Sequence, residues 1–115
     1  MMIGISNYHI TFQAINDDRV PMGYASILLS NQDDEKTGHL MGLIRHSDFK
    51  GQGICRKLTM ERIMMCKYLG CKKIVTGVYS KHLGIISMYK DLGFKEIQSD
   101  SDKHTKLCMR LDINE

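Results

Sequence analysis

Tryptophan is absent from this 115-residue chain, and proline occurs once, at Pro21. With so little proline, the breaks between elements must come from glycines and short polar turns. Long apolar runs are missing too. None approaches the ~18–20 residues that cross a bilayer, so no membrane span or membrane partner is expected. The opening Met1-Met2-Ile3-Gly4 is too short to be an apolar targeting region. A strong charge bias is also lacking. At a net charge of +3, and with no aromatic–basic platform, nothing points to a nucleic acid partner. The cysteines, Cys55, Cys66, Cys71 and Cys108, show no paired metal-ligand spacing, so no metal is expected. They sit among apolar neighbours and read as reduced, mostly buried thiols of a cytoplasmic protein.

What is present is an ordinary globular balance, 43% hydrophobic and 25% charged, enough for one core and one domain over 1–115. No repeat, low-complexity tract or linker divides it. Residues 8–16 alternate and are rich in β-formers, Asp17-Asp18-Arg19 makes a turn, and 22–30 is the paired strand, with Pro21 at its start. Residues 31–37 read as a polar loop and 38–45 as a third strand. The segment 46–53 connects it to a helix over 53–69, with an apolar stripe at Ile54, Leu58, Met65 and Leu69 flanked by Cys55 and Cys66. Gly70 stands where a glycine ends a helix. A β-branched run at 73–79 reads as a buried strand. Ser80 is placed to cap a second helix over 81–92, whose stripe is Ile85, Met88, Tyr89 and Leu92. Gly93 ends it, and 94–98 with 107–112 form a last antiparallel pair. The predicted order is β-β-β-α-β-α-β-β, an α/β (α+β) fold on a mixed, mostly antiparallel sheet with one β-α-β unit.

The most informative stretch is Lys50-Gly51-Gln52-Gly53-Ile54-Cys55-Arg56-Lys57-Leu58, between the third strand and the first helix. A glycine-rich turn there lets the backbone pass close to a ligand and aims N–H groups outward. The helix N-terminus adds a partial positive charge, which suits phosphate. Lys50, Arg56 and Lys57 favour an anionic guest. A Gly-x-Gly turn also serves plainly to start a helix, so the stretch does not decide the matter by itself.

A second stretch, His82-Leu83-Gly84-Ile85-Ile86-Ser87-Met88-Tyr89-Lys90-Asp91-Leu92-Gly93-Phe94, ends the second helix. Together and in this order, the two resemble the GNAT superfamily of acetyl-CoA-dependent N-acetyltransferases. That family's phosphate loop reads (Arg/Gln)-x-x-Gly-x-(Gly/Ala). Its later helix ends in Tyr-x-x-x-Gly-Phe, with an Asn seven residues before the Tyr. Lys50, Cys55 and His82 depart from those patterns at the Arg/Gln, the final small residue and the Asn. The resemblance covers residues 8–111.

The resemblance implies a GNAT-like fold whose third and fourth strands splay around the pantetheine arm of acetyl-CoA as co-substrate. The backbone of Leu43, Ile44 and Arg45 would then pair with that arm. Lys50, Gly51, Gln52, Gly53, Ile54, Cys55 and Arg56 would hold the pyrophosphate, and His82 would contact the cofactor arm. It also implies that Tyr89 is the general acid. A phenol, with a reference pKa of about 10, is protonated at neutral pH and can donate to a departing thiolate. Many members place a Glu base in the third strand, near Thr37 here, where none is evident. His39 resembles a histidine of the arylalkylamine branch, and the reference histidine pKa near 6.5 suits proton removal. Cys55 reads as packing, since the family transfers acetyl without an acyl-enzyme.

The implied activity is acetyl transfer to a primary amine: a protein lysine or N-terminus, a polyamine, or a small cationic amine. The alternative is a non-catalytic CoA-binding or protein-interaction module on the same fold. Asp100 and Asp102 would border the acceptor mouth and steer a cation toward it. Members of the family carry one or two helices before the hairpin, which roof the acceptor site, whereas only residues 1–7 stand there. The expectation is therefore a pared-down member whose uncovered side takes a second copy, giving a homodimer, or a bulky acceptor such as a protein segment.

Overall fold

Along His9–Ile15, every second side chain from Ile10 to Ala14 is buried and the intervening ones are less so, the signature of a strand with one face on a core. The computed structural model describes residues 1–6, 8–32, 34–97 and 106–113. It contains one seven-stranded sheet in the order β1-β2-β3-β4-β5-β7-β6. The strands are β1 (Met2–Ser6), β2 (His9–Ile15), β3 (Pro21–Gln32), β4 (Glu35–Arg45), β5 (Lys73–Tyr79), β6 (Lys95–Ile97) and β7 (Lys106–Asp112). A short 3₁₀ turn at Ser47–Phe49 precedes helix α1 (Ile54–Tyr68), and α2 (Leu83–Asp91) follows β5. All neighbouring strands are antiparallel except β4 and β5, which run parallel and are joined through α1. The expected mixed, mostly antiparallel α/β architecture is what forms.

Both helices lie on one face of the sheet. A Cβ at Gly38 would fall 2.5 Å from Cys66 Sγ, so the missing side chain is what lets α1 lie close on β4. Tyr89 of α2 reaches Arg62 of α1 on the same side. Between helices and sheet sits a core that includes Phe12, Ala25, Ile27, Leu58, Ile74 and Met109, none with measurable exposure. The other face carries no helix among the described residues. It presents Met2, Tyr24, Leu28, Met41 and Ile44, all large, apolar and exposed. Register places Thr11, Gln13 and Ser26 among them. No described helix is long and apolar enough to cross a membrane.

Three local expectations change. Residues 1–7 are more than a lead-in: Met2–Ser6 pairs with β2, Ile3 opposite Phe12 and Gly4 opposite Thr11, adding one strand in front of the expected order. Ile3 and Ile5 are good β-formers, but Gly4 interrupts so short a run, and pairing with β2 completes the strand. The polar loop at 31–37 shrinks, because β3 and β4 remain paired out to Gln32 opposite Glu35. Asp34, between them, sits at φ 63°, in the left-handed region that Asp enters more readily than most residues. Finally, α2 starts two residues late. His82, not Ser80, is its N-cap, and no side chain caps it. All four cysteines are free, with Cys66 and Cys71 buried.

Candidate active site

The sheet forks between β4 and β5. Their parallel pairing covers only residues 37–40 against 73–76, and then stops. The cause lies in β4. Ala25 faces Leu43 and Ser26 faces Met41, so Gly42 is an extra residue in the ladder, a bulge at φ +49° that glycine accepts without strain. Beyond it, among the described residues, β4 is held only by β3 and its other edge has no strand partner. Thr76 closes the apex, its hydroxyl donating to the Leu40 carbonyl at 3.2 Å.

A cleft of about 220 Å³ fills the fork, lined by residues 40–43 and 76–79, by Arg62, Ile85 and Tyr89 from the helices, and by His82 at the head of α2. It opens into a broader depression of about 600 Å³ that shares Leu43, His82 and Ile85 and adds Arg45, Cys55 and Arg56. Several residues singled out in the sequence thus come together: Tyr89 within the fork, Leu43 and His82 along it, and Arg45, Cys55 and Arg56 toward its wide end. His82 stands at the head of α2 with its ring 6.0 Å from that of Tyr79. Ile44 points to the helix-free face, since it pairs with Tyr24.

The glycine turn borders the wide end. Gly51 and Gly53 have φ of +82° and +71°, and a side chain at either would meet nothing within 4 Å. Gly53 is the N-cap of α1, and Lys57 N donates to Gly53 O at 3.0 Å as the first helical bond. The N–H groups of Ile54, Cys55 and Arg56 precede that ladder and remain available to an anion. Lys50, Gln52, Arg56 and Lys57 are exposed around the turn. Arg56 also lies 3.7 Å from Asp91 in a solvent-exposed pair, a contact too weak to hold it from a phosphate.

The phenol of Tyr89 is buried, and its ring packs 5.0 Å from that of Phe94. Its oxygen accepts a bond from Arg62 Nη2 at 3.4 Å, which leaves its own O–H as a donor. Arg62 is 1% exposed and also donates to the carbonyls of Ser26 (3.2 Å) and Met41 (3.4 Å) and to Thr59 Oγ1 (3.1 Å). Burial pushes its pKa below the ordinary guanidinium range, and the Tyr89 hydroxyl opposes that shift. The sequence reading placed no function on Arg62. The signal was there: Ile54, Leu58, Arg62 and Cys66 recur every four residues, a single stripe with a cation in it.

His39 does not line the cleft. It follows Gly38, which faces α1, so strand alternation turns His39 to the helix-free side. There its Nε2 lies 2.8 Å from Ser30 Oγ. Partial burial, and then the charge of Lys73, hold its pKa below the usual 6.5. A histidine that resists protonation when folded binds fewer protons than in the unfolded chain. Its contribution is therefore full above about pH 6.5 and is lost as pH falls through the lower folded-state value. Urea melts between pH 5 and 7.5 are expected to show stability dropping on the acid side. His39→Gln, which can keep the Ser30 bond, should flatten that slope; an unchanged slope would assign it to other groups. Asp100 and Asp102 lie outside the described residues. No group of three potential metal ligands occurs among the described residues.

Comparison with known proteins bears on this geometry. Residues 4–94 match the model of the acetyltransferase (GNAT) family. No curated protein sequence gives a significant match. Among solved structures, the NatC complex bound to Gag peptide and CoA superposes with a TM-score of 0.81 at 17% identity, covering 90% of this chain and 71% of that one. The ribosomal-protein-S18-alanine N-acetyltransferase from Escherichia coli gives 0.78 at 19% identity, over 96% and 73%. A Bacillus subtilis acetyltransferase in complex with CoA gives 0.77 at 16%, over 93% and 78%.

Proposed function

The chain belongs to the acetyltransferase (GNAT) family and is an acyltransferase, and from that premise we propose that it moves the acetyl group of acetyl-CoA directly onto a primary amine carried by a polypeptide. The observation that carries this reading is the β4–β5 fork, with Tyr89 inside it and the glycine turn at its wide end. The turn fits a pyrophosphate: unpaired helix-start N–H groups, two open glycines and three exposed cations converge there. The strand-free edge of β4 beyond Gly42, which includes Leu43, Ile44 and Arg45, offers backbone groups to an extended pantetheine arm.

The chemistry requires little else from the protein. An unprotonated amine attacks the thioester carbon, a C–N bond forms, and the C–S bond breaks. The amine's surplus proton passes to solvent or to a base, and the departing thiolate takes the proton of the Tyr89 hydroxyl. Cleft and turn contribute mainly by holding the reacting groups in place.

The acceptor class rests on the helix-free face. Met41 and Gly42 line the cleft and also edge that face, so a chain laid against Met41, Ile44, Tyr24 and Leu28 would deliver an amine to the fork. The likeness to a NatC complex bound to a peptide and to a ribosomal-protein N-acetyltransferase supports the same direction. A second copy of this chain is the competing occupant of that face. Light scattering behind a sizing column separates the two, since an uncovered face predicts a mass near 13.2 kDa.

Release of free thiol from acetyl-CoA tests the reading against three acceptor sets: short peptides, a polyamine and small aromatic amines. Turnover is expected with peptides that bear a free amine and is expected to vanish when every amine of the peptide is acetylated. Turnover on small amines alone would overturn the polypeptide assignment. No thiol release with any amine would favour a CoA-binding module without catalysis.

A further inference from the structure

Arg62 is the largest fully buried side chain of the described chain, and its partners are carbonyls and hydroxyls, with no carboxylate among the described residues. Burying a guanidinium without a counter-ion is costly, and an apolar residue of similar size would fill the same volume with less penalty. The position therefore calls for an explanation beyond packing. Its bonds supply one. Two go to Ser26 and Met41, the carbonyls flanking the bulge that opens the fork. Another goes to the Tyr89 hydroxyl across the cleft. Thr59, which accepts from the same Nη2, donates to Cys55 O at 2.8 Å and so fixes the fork of the guanidinium from behind.

We propose that Arg62 is a positioning residue for Tyr89, holding the phenol in the cleft and stabilising the negative charge its oxygen gains as the proton passes to the thiolate. The proposal rests on the reading of Tyr89 as general acid. In the resting protein the partners of the guanidinium among the described residues are all neutral groups. When the Tyr89 O–H bond breaks and the S–H bond forms, the phenolate becomes the anion that this buried cation lacks. The interaction is stronger in the transition state than before it, which is the condition for a gain in rate rather than in binding. The phenolate regains a proton from solvent once the products leave.

The test is a double-mutant cycle with Arg62→Lys and Arg62→Gln, each in the native and the Tyr89→Phe background. In the native background kcat is expected to fall about tenfold for the lysine, which keeps charge but not the fork, and about a hundredfold for the glutamine. KM for acetyl-CoA should stay within about twofold, since Arg62 is remote from the glycine turn. In the Tyr89→Phe background neither change should lower kcat further. Equal losses in both backgrounds, or a change confined to KM, would reduce Arg62 to a structural residue. Full turnover by Tyr89→Phe alone would instead remove the acid role on which the proposal stands. A readout free of acetyl-CoA, and of any change at Arg62, accompanies the kinetics. The nitrogen-15 resonances of the Arg62 guanidinium should shift between native protein and Tyr89→Phe, and unchanged resonances would overturn the link.

Discussion

Tyr89→Phe is expected to leave the fold and acetyl-CoA binding in place while turnover falls by about 10²–10⁴. The fold should survive because the ring, not the oxygen, makes the packing contacts: it is buried against Phe94, and phenylalanine fills the same space. Arg62 loses one acceptor but keeps Thr59 and the two carbonyls, so its charge is not stranded. Binding should survive because the anionic end of acetyl-CoA is assigned to the turn at the other end of the cleft. What is lost is the proton donor, and a thiolate leaving without one is the slow alternative. Initial rates at saturating acetyl-CoA, beside a thermal melt with and without it, make the comparison. Unchanged turnover would make Tyr89 a core residue.

How much of this site could be read from the residues depends on which physical signal each one leaves. Local signals were legible. The glycine turn and the stop at Gly70 marked out the β-α-β unit, and the apolar periodicity of α2 put Tyr89 on a buried stripe, because glycine's tolerance of positive φ and the helical repeat act over a few residues. Signals that arise from pairing were not. Met2–Ser6 is a strand because β2 lies beside it, and the fork exists because Gly42 bulges a ladder whose partner, β3, is distant in sequence. Arg62 was hidden for a different reason. Its position, four residues after Leu58 and four before Cys66, implies burial while its charge implies solvent, and the two signals conflict. A cation on an apolar stripe is more informative when the conflict is kept, since the contradiction itself marks a place where the fold needs a buried charge. His39 shows the limit of residue type alone: chemistry suited to a base, on a strand whose alternation faces it away from the helices and the cleft.

Gly53→Asp is expected to abolish acetyl-CoA binding without unfolding the protein, and the two halves of that outcome have opposite electrostatic causes. At φ +71° most side chains would strain the turn, but Asp and Asn enter the left-handed region more readily than others. Nothing lies within 4 Å of the new Cβ, so the cost is confined to the strain of a side chain at positive φ. A carboxylate at the N-cap of α1 also interacts favourably with the helix dipole and can bond the first free N–H groups. The favourable field offsets part of the backbone strain, so the ligand-free variant should melt cooperatively within a few degrees of native protein. Those same N–H groups are the ones assigned to the pyrophosphate, and the carboxylate both occupies them and repels the anion. For native protein at acetyl-CoA one hundred times its dissociation constant, linkage gives about 2.7 kcal/mol of added stability, plainly visible in a melt. In Gly53→Asp that increment should disappear, and Gly53→Asn, with the same shape and no charge, should retain part of it. A full acetyl-CoA shift in the aspartate variant would mean that the phosphates are held elsewhere. Equal loss in both variants would mean that the turn excludes side chains by shape alone, with its field making no contribution.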